Sequence, residues 1–137
     1  MKTYHISGHL DLTLDEFDKH YAPAILTAIN EGAAFVVGDA PGADALAQSF
    51  LRHRLYETAA ANGTGTTRVV VYHMFNYTRN NVGEFATRGG YSSDEERDEA
   101  MTLASHDDIA WIRPGRKNTS TERNLKRRAQ MRSLKED

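Results

Sequence analysis

Short apolar runs alternate along this chain with stretches in which apolar residues recur every three to four positions. Lys2 to Ser7 predicts a strand that ends at Gly8. Thr13-x-x-Glu16 then forms a capping-box signature, and Leu14, Phe17, Tyr21, Ala24/Ile25 and Ala28/Ile29 follow at helical spacing as far as Gly32. Pro23 falls inside that pattern and predicts a kink or a restart. Ala34-Phe35-Val36-Val37 predicts a second strand, which leads through Gly38-Asp39-Ala40-Pro41-Gly42 into a helix from Ala43 to about Ala60. Asn62 to Thr66 has the composition of a surface loop. Arg68 to Met74 is apolar almost throughout, as in a strand covered on both faces. Phe75 to Tyr91 shows no period and is expected to be irregular. Ser92 and Ser93, each with a Glu three residues on, start a helix running to about Ala104. Ile109 to Arg113 predicts a fourth strand, followed by a Pro114-Gly115 turn and a last helix.

Strands that alternate with helices place the sheet strands parallel, with helices on both faces. The expected architecture is α/β: a small Rossmann-like three-layer domain with a mostly parallel sheet of four to five strands, occupying residues 1–137 as one unit. In such sheets ligands bind outside the carboxyl ends of the strands. Those ends carry Ser7-Gly8-His9, Gly38 to Asp44, the 75–91 segment and Arg113 to Thr121. The unusual stretches of the chain therefore fall on one edge.

Composition changes this picture little. Hydrophobic residues make up 39% and charged residues 26% of the chain, as in an ordinary globular domain. No apolar run approaches the ~20 residues that span a bilayer, and the first residues lack the apolar core of a signal peptide, so a cytoplasmic address and no membrane partner are expected. The chain has no cysteine, which removes disulfides and thiolate metal sites. Its six histidines are scattered without ligand spacing, so neither a metal nor another cofactor is expected. Charge is uneven. Arg113 to Asp137 holds nine Lys/Arg against three Asp/Glu, a local +6, whereas residues 1–112 sum to −8. The basic end is either the solvated outer side of a helix or a face for phosphate or nucleic acid.

Each loop on the edge has a chemical and a bland reading. In Gly38-Asp39-Ala40-Pro41-Gly42-Ala43-Asp44 the glycines allow close approach to a phosphate or sugar beside a helix N-terminus. The same residues make a tight turn in which Asp44 complements the helix dipole. Ser7, Gly8 and His9 offer backbone and a ring after the first strand. Pro114, Gly115, Arg116, Thr119, Ser120 and Thr121 could surround a phosphate with cations, hydroxyls and N–H groups. Glu122 follows Thr119 at capping-box spacing and could simply close its own helix. Arg97 lies among Asp94, Glu95, Glu96, Asp98 and Glu99, where a surface ion pair is the default. In the 75–91 segment an aromatic ring could stack on a base and Arg79 could clamp a phosphate; equally, the loop could pack on its own aromatics.

Taken together these residues resemble the SLOG superfamily, which includes the lonely-guy phosphoribohydrolases, the Smf/DprA proteins and small YspA-like domains. Glu96-Arg97-Asp98-Glu99-Ala100-Met101 stands where the lonely-guy pattern has Glu-Arg-Lys-x-x-Met. Pro114-Gly115 through Thr121-Glu122 stands for its Pro-Gly-Gly-x-Gly-Thr-x-Glu. Gly38 to Ala47 is similar to the YspA-like Gly-Gly-Ala-Arg-Gly-Ala-Asp-x-x-Ala. The chain departs from the pattern at Arg116-Lys117-Asn118, which replaces Gly-x-Gly in a turn one residue longer, and at Asp98, where the family has Lys. The resemblance implies a nucleotide-type ligand, catalytic roles for Arg97 and Glu122, and pairing into a homo-oligomer. The expected function is binding of a nucleotide or nucleotide-derived ligand as a sensor or sequestering module. Hydrolysis of the N-glycosidic bond of a nucleoside 5′-monophosphate is the alternative. Nucleic-acid binding through Arg123, Lys126, Arg127, Arg128 and Arg132 is the weaker third reading.

Overall fold

The computed structural model describes residues 2–56, 68–81 and 85–136. Five strands form one sheet in the order β4-β3-β2-β1-β5, and every neighbouring pair is parallel. The strands are β1 (Thr3–Ser7), β2 (Ala34–Gly38), β3 (Val69–Met74), β4 (Ala86–Tyr91) and β5 (Asp107–Ala110). The helices are α1 (Leu14–His20), α2 (Ala22–Asn30), α3 (Ala43–Leu51), α4 (Asp94–Leu103) and α5 (Ser120–Glu136). This is the expected Rossmann-like α/β arrangement, with five strands, all parallel, among the described residues. The chain runs outward from β1 to β4, then returns through α4 to place β5 on the other side of β1. β1 is thus the strand at which the direction of winding reverses.

The first helical stretch breaks as Pro23 predicts. α1 is closed by a complete Thr13–Glu16 capping box, and α2 restarts with the proline in its first turn, where a missing N–H costs nothing. Phe17, Tyr21, Ile25 and Ala28 form the buried face, but Leu14 is exposed at the start of α1. α3 ends at Leu51 and passes into a π-helical turn, Arg52–Tyr56. The expected continuation to Ala60 and the loop at 62–66 lie outside the described residues.

Two expectations are corrected. The 75–91 segment is not irregular throughout, because Ala86–Tyr91 is an edge strand paired with β3. Its sequence, Ala-Thr-Arg-Gly-Gly-Tyr, carries no apolar alternation because its residues lie largely in solvent at the sheet edge. The last strand is Asp107–Ala110, not Ile109 to Arg113. Two adjacent aspartates argue against a strand, but cations neutralise both: Asp107 faces Lys2 and Arg132, and Asp108 meets the Nε of Arg128 at 3.1 Å.

The two faces of the sheet differ in chemistry. One is apolar: Ile6, Phe35, Val37, Val69, Val71 and Ile109 pack with the buried residues of α1, α2 and α3. Full burial of each such side chain stabilises the fold by ~1.5–3 kcal/mol. Beneath α4 and α5 the apolar cluster shrinks to Val36, Tyr72 and Met101. The rest of that layer is polar and buried, with His5, Ser7, Thr102, Ser105, Asn124 and Arg128 among its members. Arg128 organises it, donating from Nη1 to the carbonyls of Thr102 (3.1 Å) and Ser105 (2.8 Å) at the end of α4. A guanidinium from α5 thus adds charge-assisted hydrogen bonds to carbonyls at and just after the end of α4.

Tyr21 joins the apolar layer to the carboxyl edge. Its hydroxyl donates to the Ser7 carbonyl at 2.7 Å and accepts from the Trp111 N–H at 3.0 Å, tying the ends of β1 and β5 together. Gly8 is required just there, since a Cβ would fall 2.3 Å from that hydroxyl and 2.6 Å from the Ala43 Cβ. Tyr21→Phe leaves the Trp111 N–H without its acceptor and is expected to cost about 2 kcal/mol. Urea denaturation of the two proteins measures this, and an unchanged midpoint would show that the tie contributes nothing.

Candidate functional site

A cavity of about 440 Å³ opens at the carboxyl ends of the strands, in the size range of small-molecule sites. Four chain segments build it. β1 and the loop after it supply His5, Ser7, Gly8, His9, Leu10 and Asp11. The β2–α3 turn supplies Ala40, Pro41 and Asp44. Arg79 follows β3, and Asp94, Arg97, Asp98 and Met101 come from α4. The turn after β5 and the start of α5 supply Arg116, Asn118, Thr119, Ser120, Thr121, Arg123 and Asn124.

The loop after β1 is locked to the loop after β2. The Ala43 N–H donates to the His9 carbonyl at 3.1 Å. Gly42 adopts φ +74°, and a Cβ there would meet the Leu10 carbonyl oxygen at 2.3 Å, so this crossing needs glycine on both counts. His9 is buried and accepts the Arg113 N–H on Nε2 at 2.8 Å. Burial, with the nearby charges of Arg116 and Arg113, lowers its pKa, so the ring is neutral at physiological pH and free to accept that bond. His9 therefore fixes the start of the turn that carries Arg116.

One wall is a buried ionic cluster. Asp39, with no exposed surface, receives the Arg97 Nη1 at 2.7 Å, the Arg79 Nη2 at 2.9 Å and the Arg79 backbone N–H at 2.8 Å. Burial alone would raise the Asp39 carboxyl, but the bonds from Arg79 and the charges of Arg79 and Arg97 outweigh it and hold the group ionised. Arg97 also pairs with Asp98 at 3.0 Å and Asp94 at 3.2 Å. It is 5% exposed, so its place on a strongly acidic helix hides a buried position. Asp44 crowds the same guanidinium at Gly38 and, among the described residues, accepts a hydrogen bond from the Ala40 N–H at 3.2 Å. Burial pushes its carboxyl up to about 7, with Asp98 and Asp39 adding to the rise and Arg97 opposing it.

The opposite wall is cationic and rich in hydroxyls. Arg116 pairs with Asp11 at 2.6 Å, and Arg123 donates to the Asn118 carbonyl and the Ser120 hydroxyl. The first N–H groups of α5 have no preceding helical carbonyl, as at any helix start, and they add partial positive charge. The cavity thus has a cationic end at α5 and a carboxylate end at α3 and α4.

Ten of the residues singled out in the sequence line this space: Ser7, Gly8, His9, Asp44, Arg79, Arg97, Arg116, Thr119, Ser120 and Thr121. Gly38, Asp39 and Gly42 stand behind the wall as its supports, and Pro114 and Gly115 lie off it. Glu122 is also off the wall. Its carboxylate accepts the Asn118 N–H at 3.3 Å and pairs with Lys126 at 2.9 Å, while its own N–H donates to the Thr119 hydroxyl. It is engaged as a helix cap. Arg79, expected as a free phosphate clamp, is held by Asp39 and by Asp94. Of the aromatics in its segment, Phe85 is buried in the core and Tyr91 stacks on Tyr72. Phe75 and Tyr77 are exposed, and none of the four lines the cavity. The proposed basic rows are also interrupted, since Arg128 is buried against Asp108.

Sequence reasoning passed over His5, Asp98 and Asn124. A signal existed for each: His5 is two residues before Ser7 on the same strand face, Asp98 follows Arg97, and Asn124 is one helical turn beyond Thr121. Among the described residues no group of three or more metal-ligating side chains is placed to hold an ion, and no helix is long and apolar enough to cross a membrane. Comparison with protein-family models, with curated proteins and with solved structures gives no match for this chain.

Asp44 has a measurable signature. An unfolded Asp releases its proton near its ordinary value of 3.8, whereas folded Asp44 holds it to about 7. Between those values the native state binds the extra proton, so this group's contribution falls as pH rises and its full penalty applies above 7. Asp44→Asn removes a charge that burial disfavours, by up to roughly 4 kcal/mol. The variant should match the parent in Tm at pH 4 and exceed it at pH 8. A Tm difference that does not grow with pH would show that Asp44 ionises normally.

Proposed function

We propose that the domain binds a nucleotide or nucleotide-derived ligand in this cavity. The observation that carries the reading is the polarity of the space at the point where the sheet reverses its winding. An anion belongs at the start of α5, where N–H groups, the Thr119 and Ser120 hydroxyls, Arg116 and Arg123 converge. Among the described residues the other end offers it no free cation, because Asp39, Asp94 and Asp98 already pair with Arg79 and Arg97. A molecule with phosphate at one end and uncharged hydrogen-bonding groups at the other matches both. The remaining apolar surface, Leu10, Ala40, Pro41 and Met101, offers cover for a base. The resemblance in Gly38 to Ala47 and in Pro114 to Glu122 supports the same ligand class.

Cleavage of the N-glycosidic bond is the second reading. What favours it is a carboxyl group on the cavity wall close to Arg97, a position held by Asp44 and not by Glu122.

Isothermal titration with nucleoside 5′-mono-, di- and triphosphates tests the first reading. Binding of at least one is expected, weakened about tenfold in Arg116→Ala and in Arg123→Ala, as for loss of a charge-assisted bond. The loss should shrink as salt is raised. Heat from none of them at high protein concentration would remove the proposal. Chromatography of the same mixtures for free base separates the readings: no base from any bound nucleotide leaves a binding module, whereas release that stops in Asp44→Asn supports cleavage.

A further inference from the structure

The floor of the cavity is polar, buried and unsatisfied. His5 has no exposed surface and Ser7 is 7% exposed, and both line the cavity. Among the described residues the His5 Nε2 and the Ser7 hydroxyl have no hydrogen-bond partner, and the His5 Nδ1 has only a long contact of 3.5 Å with Asp108. A buried polar group left without a partner costs ~1–3 kcal/mol. Two such side chains on one strand face, both at the wall of a cavity, point to groups that a ligand completes. They are neighbours by construction, because residues two apart on a strand share a face and stand about 7 Å apart.

The surroundings define what completes them. His5 is opposite Asp108 in the β1–β5 register, and its Nδ1 lies 3.5 Å from the Asp108 carboxylate. Asp108 is anchored in turn by Arg128. Burial would raise the Asp108 carboxyl, but its contacts with His5 and Arg128 keep it ionised. With Nδ1 turned to the Asp108 carboxylate, Nε2 is the ring atom left for a ligand. A group that can both donate and accept suits it. The group at Ser7 can donate or accept. Phosphate is better placed at the start of α5, where Arg116 and Arg123 line the cavity, and a base against the apolar surface of Leu10, Ala40, Pro41 and Met101. Hydroxyls, which both donate and accept, suit His5 and Ser7.

We propose that His5 and Ser7 bind the vicinal hydroxyls of a ribose, so that the cavity selects ribonucleotides over their deoxy counterparts. The proposal rests on the nucleotide reading above. It gives the ligand one orientation: phosphate at the start of α5, sugar on the β1 floor, and base toward Leu10, Ala40 and Pro41 at the mouth. His5 and Ser7 act as specificity-determining contacts, with Asp108 as the residue that positions the His5 ring.

Titration calorimetry with AMP, GMP, CMP and UMP, each beside its 2′-deoxy and 3′-deoxy forms, tests this on the wild-type chain and on Ser7→Ala. The expected result is that at least one deoxy form of each bound nucleotide is weaker by about tenfold, the loss of one hydroxyl contact. Ser7→Ala should bring that gap within about threefold without lowering Tm, because the hydroxyl has no partner in the free protein. As a second measurement, the Nε2 resonance of ¹⁵N-labelled His5 should shift with the ribonucleotide and move less with the weaker deoxy form. Ribo and deoxy forms bound within threefold of one another would overturn the ribose floor and leave the nucleotide reading standing. No binding by either series would overturn both.

Discussion

A single buried carboxylate holds the site side of this molecule together. Asp39 stands at the end of β2 with no contact to solvent, and it is met by guanidinium groups from the β3–β4 connection and from α4. Three segments remote in sequence are thereby fixed at one point, and the Asn80 side chain adds a bond to the Asp39 carbonyl at 2.9 Å. Such a charge is stable only while its partners remain. Removing one partner of a buried pair typically costs ~3–5 kcal/mol, far more than the net worth of the pair, because a bare charge is left behind. The position of Arg97 on the cavity wall follows from this constraint. So does the crowding at Gly38, where a Cβ would stand 2.5 Å from the Asp44 carboxylate and 3.0 Å from the Arg97 Cζ.

The two faces of the sheet divide the labour. The layer of α1, α2 and α3 is apolar and supplies the hydrophobic stabilisation, while the layer of α4 and α5 encloses hydrogen-bonding groups and the deepest part of the cavity. A polar layer is tolerable because Arg128 satisfies the carbonyls at the end of α4 and neutralises Asp108. What Arg128 leaves over, at His5 and Ser7, faces the cavity.

Much of this was readable from the chain. β1, β2 and β3 are short β-rich runs closed by glycine or an aromatic, and the helix starts at Thr13 and Ser93 carry their caps in the sequence. The edge strand β4 was not readable, because a strand half in solvent with two glycines has no periodicity to show. The true bounds of β5 were hidden by Asp107 and Asp108, whose charges are compensated by Lys2, just before β1, and by Arg128 and Arg132 of α5. The loops of the site were legible through topology alone, since parallel strands bring their carboxyl ends to one edge. Arg97 was not. Its local sequence describes a solvated acidic helix, and only Asp39, 58 residues earlier, explains why it is buried.

The strand order has a consequence for how the protein reaches a state that can bind. β1 is the first strand in the chain and β5 the last, and their pairing joins residues such as Tyr4 and Asp107. The cavity needs both, together with the start of α5 that follows. Pairings between strands so far apart in sequence raise the contact order, which slows folding. A partly folded chain lacking β5 presents none of the cationic wall. A ligand that binds this cavity recognises the finished fold and stabilises it by mass action, to an extent set by its concentration relative to its Kd. Occupancy of the site and the folding of β5 and α5 are thereby coupled.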